Sequence, residues 1–170
     1  RSLGRLGVET IDLYLLHWRG PHPLEETIAG VEALRAAGKI RHWGVSNFDV
    51  SDMEEVLAVG GKDVATNQVL YNLTRRGIEY DLLPWHTARA IPIMAYSPIE
   101  QGRLASHRAL AQIAARHEAT AAQVALAWVL TRPGTIAIPK AGTDAHVRQN
   151  RAAAEIGLSP DDLAALDAAF

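Results

Sequence analysis

Ile40-Arg41-His42-Trp43-Gly44-Val45-Ser46-Asn47 is a run of strand length, apolar toward its centre and abruptly polar where it ends. Four other runs share its β-rich character: Ile11 to Trp18, Ala65 to Tyr71, Ile91 to Ser97 and Thr135 to Lys140. The stretches between them carry helical spacing. Leu24, Ile28, Val31 and Leu34 recur on one helical face, between a proline suited to a helix start and Gly38, suited to its stop. Ser51 to Val59 is expected to be a helix opened by the capping box Ser51-x-x-Glu54, and Thr120 to Thr131 another opened by Thr120-x-x-Gln123. A last helix starts at Ser159-Pro160. Glu79 to Arg89 and Leu104 to His117 are also read as helical, and Arg1 to Gly7 as the last turns of a helix already under way.

Strand and helix alternate at intervals of roughly 25 to 30 residues, the size of βαβ units, and the longer final interval has room for an extra helix. The pattern specifies an α/β fold, a parallel sheet covered by helices. No low-complexity segment or linker interrupts it, so residues 1–170 are read as part of a single domain. An open doubly wound sheet and a closed barrel both fit the alternation. The dinucleotide fingerprint G-x-G-x-x-G and the P-loop G-x-x-x-x-G-K-[ST] are both missing, which lowers the open-sheet reading. The barrel reading is a (β/α)₈ TIM barrel that is incomplete, because five strands leave about three βα units unsupplied.

Barrel enzymes gather their reacting groups at the carboxyl ends of the strands. Four of the five runs end in polar exceptions to an apolar core: His17, Ser46 with Asn47, Tyr96 with Ser97, and Lys140. Gln68 sits inside the fifth. One such residue is ordinary, since a polar group leaving a sheet can bond loop backbone or water. Four in the same position point to a site.

Composition narrows the chemistry. With 48% hydrophobic residues in 170 the chain can bury a core of domain size. A formal charge of −2, without a basic cluster, argues against nucleic acid or an anionic membrane as partner, and no apolar run approaches the ~20 residues of a membrane span. There is no cysteine, which excludes disulfides, a thiol nucleophile and thiolate metal sites and suits a reducing cytoplasm. The seven histidines show no H-E-x-x-H spacing, so no metal is expected, and Ser97 lacks the G-x-S-x-G elbow of a serine hydrolase. Glu25-Glu26, Glu54-Glu55 and Asp161-Asp162 are assigned to first helical turns, where they complement the helix dipole.

Five strings in register carry a resemblance: Leu13-Tyr14-Leu15-Leu16-His17-Trp18, Gly38 through Phe48, Asn67-Gln68-Val69, Met94-Ala95-Tyr96-Ser97-Pro98 and Ile138-Pro139-Lys140. The chain resembles the aldo-keto reductases from their fourth strand to their last helices. That resemblance implies reduction of aldehydes and ketones by hydride transfer from NADPH, with NADH not excluded. It implies His17 as donor to the developing oxyanion, while the acid Tyr, the Lys that lowers its pKa and the partnering Asp lie upstream of the matching strand. Trp18, next to His17, would line the substrate pocket. Ser46, Asn47 and Gln68 would hold the nicotinamide carboxamide, and Tyr96 would stack on the ring.

By the same likeness Ser97, Ile99 and Gln101 would follow the pyrophosphate and ribose, with Glu100 an awkward negative charge beside them. Lys140 and Thr143, with Ala141, His146 and Asn150, would receive the adenosine 2′-phosphate end. Ala141 stands where a hydroxyl is often found, and His146 where an arginine often clamps the phosphate, a weaker and pH-dependent substitute. The complete protein is expected to be a cytoplasmic monomer acting on a small-molecule carbonyl. The 170 residues alone, lacking the acid and exposing two strand edges, are expected to be inactive and prone to associate. The alternatives are a non-enzymatic nucleotide sensor and an inactive truncated gene product.

Overall fold

The computed structural model describes residues 1–170, the side chain of Ala105 apart. Strands β1 (Ile11–Leu16), β2 (Ile40–Ser46), β3 (Val64–Leu70), β4 (Ile93–Tyr96) and β5 (Thr135–Ala137) form one sheet in the order β1-β2-β3-β4-β5. The β1–β2 and β2–β3 ladders are parallel, with Ile11 opposite Ile40 and Ser46 opposite Gln68. Helices α1 (Ser2–Leu6), α2 (Leu24–Ala36), α3 (Val50–Ala58), α4 (Leu82–Ala88), α5 (Arg108–Arg116), α6 (Ala121–Leu130), α7 (Asp144–Ala152) and α8 (Pro160–Ala169) alternate with the strands. The β4–β5 interval holds the extra helix foreseen from its length. The chain divides into two compact units, Arg1–Val69 with Asp81–Ile93, and Leu70–Tyr80 with Met94–Phe170.

In the first unit β2 is the middle strand of a parallel trio, and Trp43 and Val45 are buried on it. Gly44 sits between them for want of space: a Cβ there would meet the Thr66 carbonyl oxygen at 2.6 Å and Leu15 Cδ2 at 2.8 Å. The helices cover the sheet with Leu24 and Ile28 of α2 and Met53 and Val56 of α3. Buried polar groups are satisfied locally. Trp43 Nε1 donates to Glu32 at 2.7 Å, and Asn67 bridges both backbone polar groups of Phe48.

Helix α3 departs from the sequence reading. Its cap is Asp49, whose carboxylate accepts from Asp52 N at 2.8 Å while the Asp52 carboxylate accepts from Asp49 N at 3.2 Å. Ser51-x-x-Glu54 therefore does not open the helix; Ser51 only donates to Asp49 at 2.8 Å. Two overlapping boxes competed, and the one that comes first, with a carboxylate acceptor, wins. Glu54 and Glu55 consequently lie beyond the first turn, and Glu55 pairs with Arg19 rather than serving the dipole. Helix α4 likewise begins later than Glu79, capped by Asp81.

The second unit is built around α6, which is buried along Val124–Val129 and packs against Tyr71, Ala95, Leu110, Ile113 and Leu166. The guanidinium groups of Arg76 and Arg132 lie 5.0 and 4.7 Å from the centre of the Trp128 ring. The Thr120–Gln123 and Ser159–Asp162 capping boxes open α6 and α8. Asp162 is also the anchor of α8, accepting hydrogen bonds from Arg116 and from His117 Nε2 at the end of α5. Leu104 to His117 is not one helix. Gln101 and Gly102, at φ 55° and 85°, interrupt a 3₁₀ segment over Glu100–Ser106, and α5 starts only at Arg108.

Candidate functional site

In the first unit the ends of β1 and β2 are joined to Gln68 of β3 by one hydrogen-bond chain. Asn47, immediately after β2, is left-handed at φ 61°, a conformation asparagine tolerates better than most residues. That turn lets its Nδ2 donate to the His17 carbonyl at 3.2 Å and to Ser46 Oγ at 3.1 Å. Ser46 Oγ donates in turn to the Gln68 carbonyl at 2.8 Å, which also receives Asn47 N at 2.9 Å. Ser46 is buried, and Asn47 and Gln68 are half-buried. The structure thus brings His17, Ser46, Asn47 and Gln68 together, with the carboxyl ends of β1 and β2 fixed by side chains.

His17 is exposed, and its ring stacks on that of Trp18 with centroids 5.8 Å apart and planes 27° apart. Trp18 is 60% exposed, the only one of the four tryptophans not buried. An apolar ring this open, beside an imidazole able to donate a hydrogen bond, suits a wall for a small polar ligand. The following residue holds this loop down: Arg19 forms ion pairs at 2.7 Å with both Asp52 and Glu55 of α3. Sequence reading passed over Arg19, because its partners lie some 30 residues on and no local spacing marks them.

In the second unit Tyr96 closes β4, half-buried, and its carbonyl accepts from Tyr71 N at 3.5 Å. The loop beyond it is left-handed at Ser97 (φ 49°), Glu100 (45°), Gln101 (55°) and Gly102 (85°). Ser97, Ile99, Gln101 and Lys140 line one hollow of about 400 Å³. Ile99 and Lys140 also border a second, of about 310 Å³, with Thr120, His146, Gln149 and Asn150. Tyr96 lines a third, of about 220 Å³, with Arg75, Gln101 and Arg103.

Ala141 and Thr143 are not among the residues lining these hollows. Thr143 caps α7, accepting His146 N on its hydroxyl at 3.2 Å, so its oxygen serves the helix start beside His146. Glu100 proves less awkward than its charge suggested. Its carboxylate accepts from Asn72 Nδ2 at 2.6 Å and lies 3.7 Å from Arg75 and 3.9 Å from Arg103. Asn72, fully buried, was missed in the sequence because it falls one residue past an apolar run, where a polar residue is commonplace.

These groups suit a ligand with a phosphate-rich end. Lys140 offers charge and His146, in the first turn of α7, a ring donor, and the two border one hollow. Among the described residues no group of His, Cys, Asp or Glu could hold a metal ion, and no helix is long and apolar enough to cross a membrane.

Each unit thus carries polar groups where its strands leave the sheet, an imidazole with amides and a hydroxyl in the first and a tyrosine with a lysine in the second, the placement common in small-molecule sites of α/β proteins. Residues 1–170 match the model of the aldo/keto reductase family, and the chain belongs to that family. It is 54% identical to the methylglyoxal reductase YeaE of Escherichia coli strain K12, over 99% of this chain and 62% of that protein. With the glyoxal reductase of Bacillus subtilis strain 168 it shares 36% identity, over 99% of this chain and 60% of that one. It superposes with a TM-score of 0.96 and 51% identity on a Klebsiella pneumoniae aldo/keto reductase in complex with NADP and acetate, covering 98% of this chain and 61% of the other. The chain therefore spans about three fifths of the length of these relatives.

Proposed function

We propose that this chain is part of an NADPH-dependent carbonyl reductase acting on small aldehydes and ketones, 2-oxoaldehydes such as methylglyoxal among them. The whole protein is then a (β/α)₈ barrel of which these strands are the fourth to the eighth. The observation that carries the reading is the Gln68–Ser46–Asn47–His17 hydrogen-bond chain, which fixes the backbone of His17, and with it the root of an exposed imidazole, at the end of β1. The names of the relatives, and the NADP bound to the Klebsiella pneumoniae protein, support the choice of substrate and cofactor.

In this reading a bound dinucleotide would supply a hydride to the carbonyl carbon, and the alkoxide so formed would take its proton from a general acid in the part of the barrel outside these residues. His17 donates a hydrogen bond to the carbonyl oxygen as negative charge develops there, and Trp18 excludes water from one side. Ser46, Asn47 and Gln68 meet the carboxamide, and Tyr96 meets the ring. Ser97, Ile99 and Gln101 follow the diphosphate, while Lys140, Ala141, Thr143, His146 and Asn150 receive the adenosine phosphate end.

The test is steady-state oxidation of NADPH by methylglyoxal in the protein that carries this chain, alongside its His17→Ala variant. Saturable turnover, reduced about 100-fold in the variant with nucleotide affinity unchanged, is the expected result. Tight NADPH binding with no turnover on any small aldehyde would replace the enzyme by a nucleotide sensor.

A further inference from the structure

Ser97, Glu100, Gln101 and Gly102 are all left-handed, and three of the four carry side chains that disfavour this conformation. Such a segment persists only where its surroundings hold it. The holding group is Asn72, which is fully buried and itself fixed, since its Oδ1 accepts both Thr74 N and Thr74 Oγ1 at 2.9 Å. Its Nδ2 donates to the Ser97 carbonyl at 2.9 Å and to the Glu100 carboxylate at 2.6 Å. One amide therefore grips the first and the fourth residue of the segment. The Glu100 side chain is only 15% exposed, and the guanidinium groups near it belong to Arg75 and Arg103, which are largely exposed.

We infer that Glu100 is a positioning residue for the nucleotide: its carboxylate, seated on Asn72 and balanced by Arg75 and Arg103, holds Ser97–Gly102 in the shape that lines the hollow of about 400 Å³ beside Lys140. The inference rests on the proposed cofactor but goes past it, because Glu100 enters as a carboxylate that repels the very ligand its loop receives. Its two effects have opposite signs and can be separated. Through shape Glu100 strengthens binding, and through residual charge it weakens it.

Glu100→Gln keeps an oxygen to accept from Asn72 and removes the charge. Glu100→Ala removes both. In the protein that carries this chain, fluorescence titration with NADPH is expected to give a Kd for Glu100→Ala about tenfold above that of the parent, the effect of losing one charge-assisted hydrogen bond. Glu100→Gln is expected at or below the parent value. A second readout needs no nucleotide. Arg103 directly follows the strained segment and is exposed, so limited trypsin digestion after Arg103 should run several-fold faster in Glu100→Ala than in the parent or in Glu100→Gln. A parent that binds NADPH while Glu100→Ala matches it in both affinity and cleavage overturns the inference. Glu100→Gln as impaired as Glu100→Ala also overturns it, because the Asn72 bond would not be the holding contact. A parent that fails to bind NADPH instead overturns the cofactor reading, while the cleavage rates still report on the latch.

Discussion

Asn47 reaches from the end of β2 to the end of β1, its Nδ2 donating to the His17 carbonyl at 3.2 Å. The side chain does this from a left-handed backbone, so two properties of one residue are in play: a conformation and a bond. Glycine adopts the conformation freely and alanine does not, and neither makes the bond. Under the proposed activity, both Asn47→Gly and Asn47→Ala in the protein that carries this chain should lower carbonyl turnover about tenfold through a misplaced His17. Only Asn47→Ala should also lose about 1 kcal/mol of stability through backbone strain. Stopped-assay turnover and thermal melts separate the two, and wild-type turnover in Asn47→Gly would remove the amide link from the account.

Gly44 makes a different kind of demand, one of space. A methyl group there would press on the Thr66 carbonyl at 2.6 Å, and backbone cannot rotate away as a side chain could. Gly44→Ala should destabilise the protein by about 3 kcal/mol by forcing β2 and β3 apart. The check is chemical denaturation, in which a lower midpoint with an unchanged slope is expected.

Asp162 ties α8 to α5, and this should appear as pH dependence. Burial opposes its ionisation, but hydrogen bonds from Arg116, His117 and Ser159 outweigh burial and hold the carboxyl well below the usual carboxylate range. A carboxyl more acidic in the folded than in the unfolded state contributes stability that is complete above its unfolded pKa of about 4 and is lost as pH falls toward its folded value. Melting temperatures of the parent should therefore decline below about pH 4 more steeply than those of Asp162→Asn. At neutral pH the variant should be about 1 kcal/mol less stable, because the half-exposed Arg116 rehydrates and the asparagine oxygen still accepts one hydrogen bond. Parallel acid limbs in parent and variant would show that this carboxylate is not a source of the decline.

Much of this architecture is legible in the residues themselves. The five apolar runs all become strands, because β-rich segments between helical periodicities have few other places to go. The runs shorten at their ends to exclude His17, Asn47 and Lys140, the polar groups that mark the candidate site. The sequence was misleading where two local signals compete or a partner is distant. Ser51-x-x-Glu54 has the form of a capping box, yet Asp49 stands two residues earlier with the better acceptor. The partners of Glu100 could not be read from the residues, because Asn72 and Arg75, which receive its carboxylate, lie about 25 to 28 residues away. No periodicity reports a contact of that range; only coordinates do.

His146 offers the sharpest test of cofactor choice. Its backbone N donates to Thr143 Oγ1, and its side chain borders the hollow it shares with Lys140 and Asn150. An imidazole presents one donor at a time when neutral, whereas a guanidinium presents a permanent charge and a planar fork matched to phosphate oxygens. His146→Arg should therefore tighten NADPH binding while leaving NADH, which lacks the 2′-phosphate, nearly unchanged. The affinity ratio NADPH to NADH should rise about tenfold, the scale of one added charge-assisted contact. The gain should shrink at high salt, because the position is exposed and the new attraction is screened. Equal changes for both nucleotides would place His146 against the adenosine common to them, and no change for either would take it out of the site.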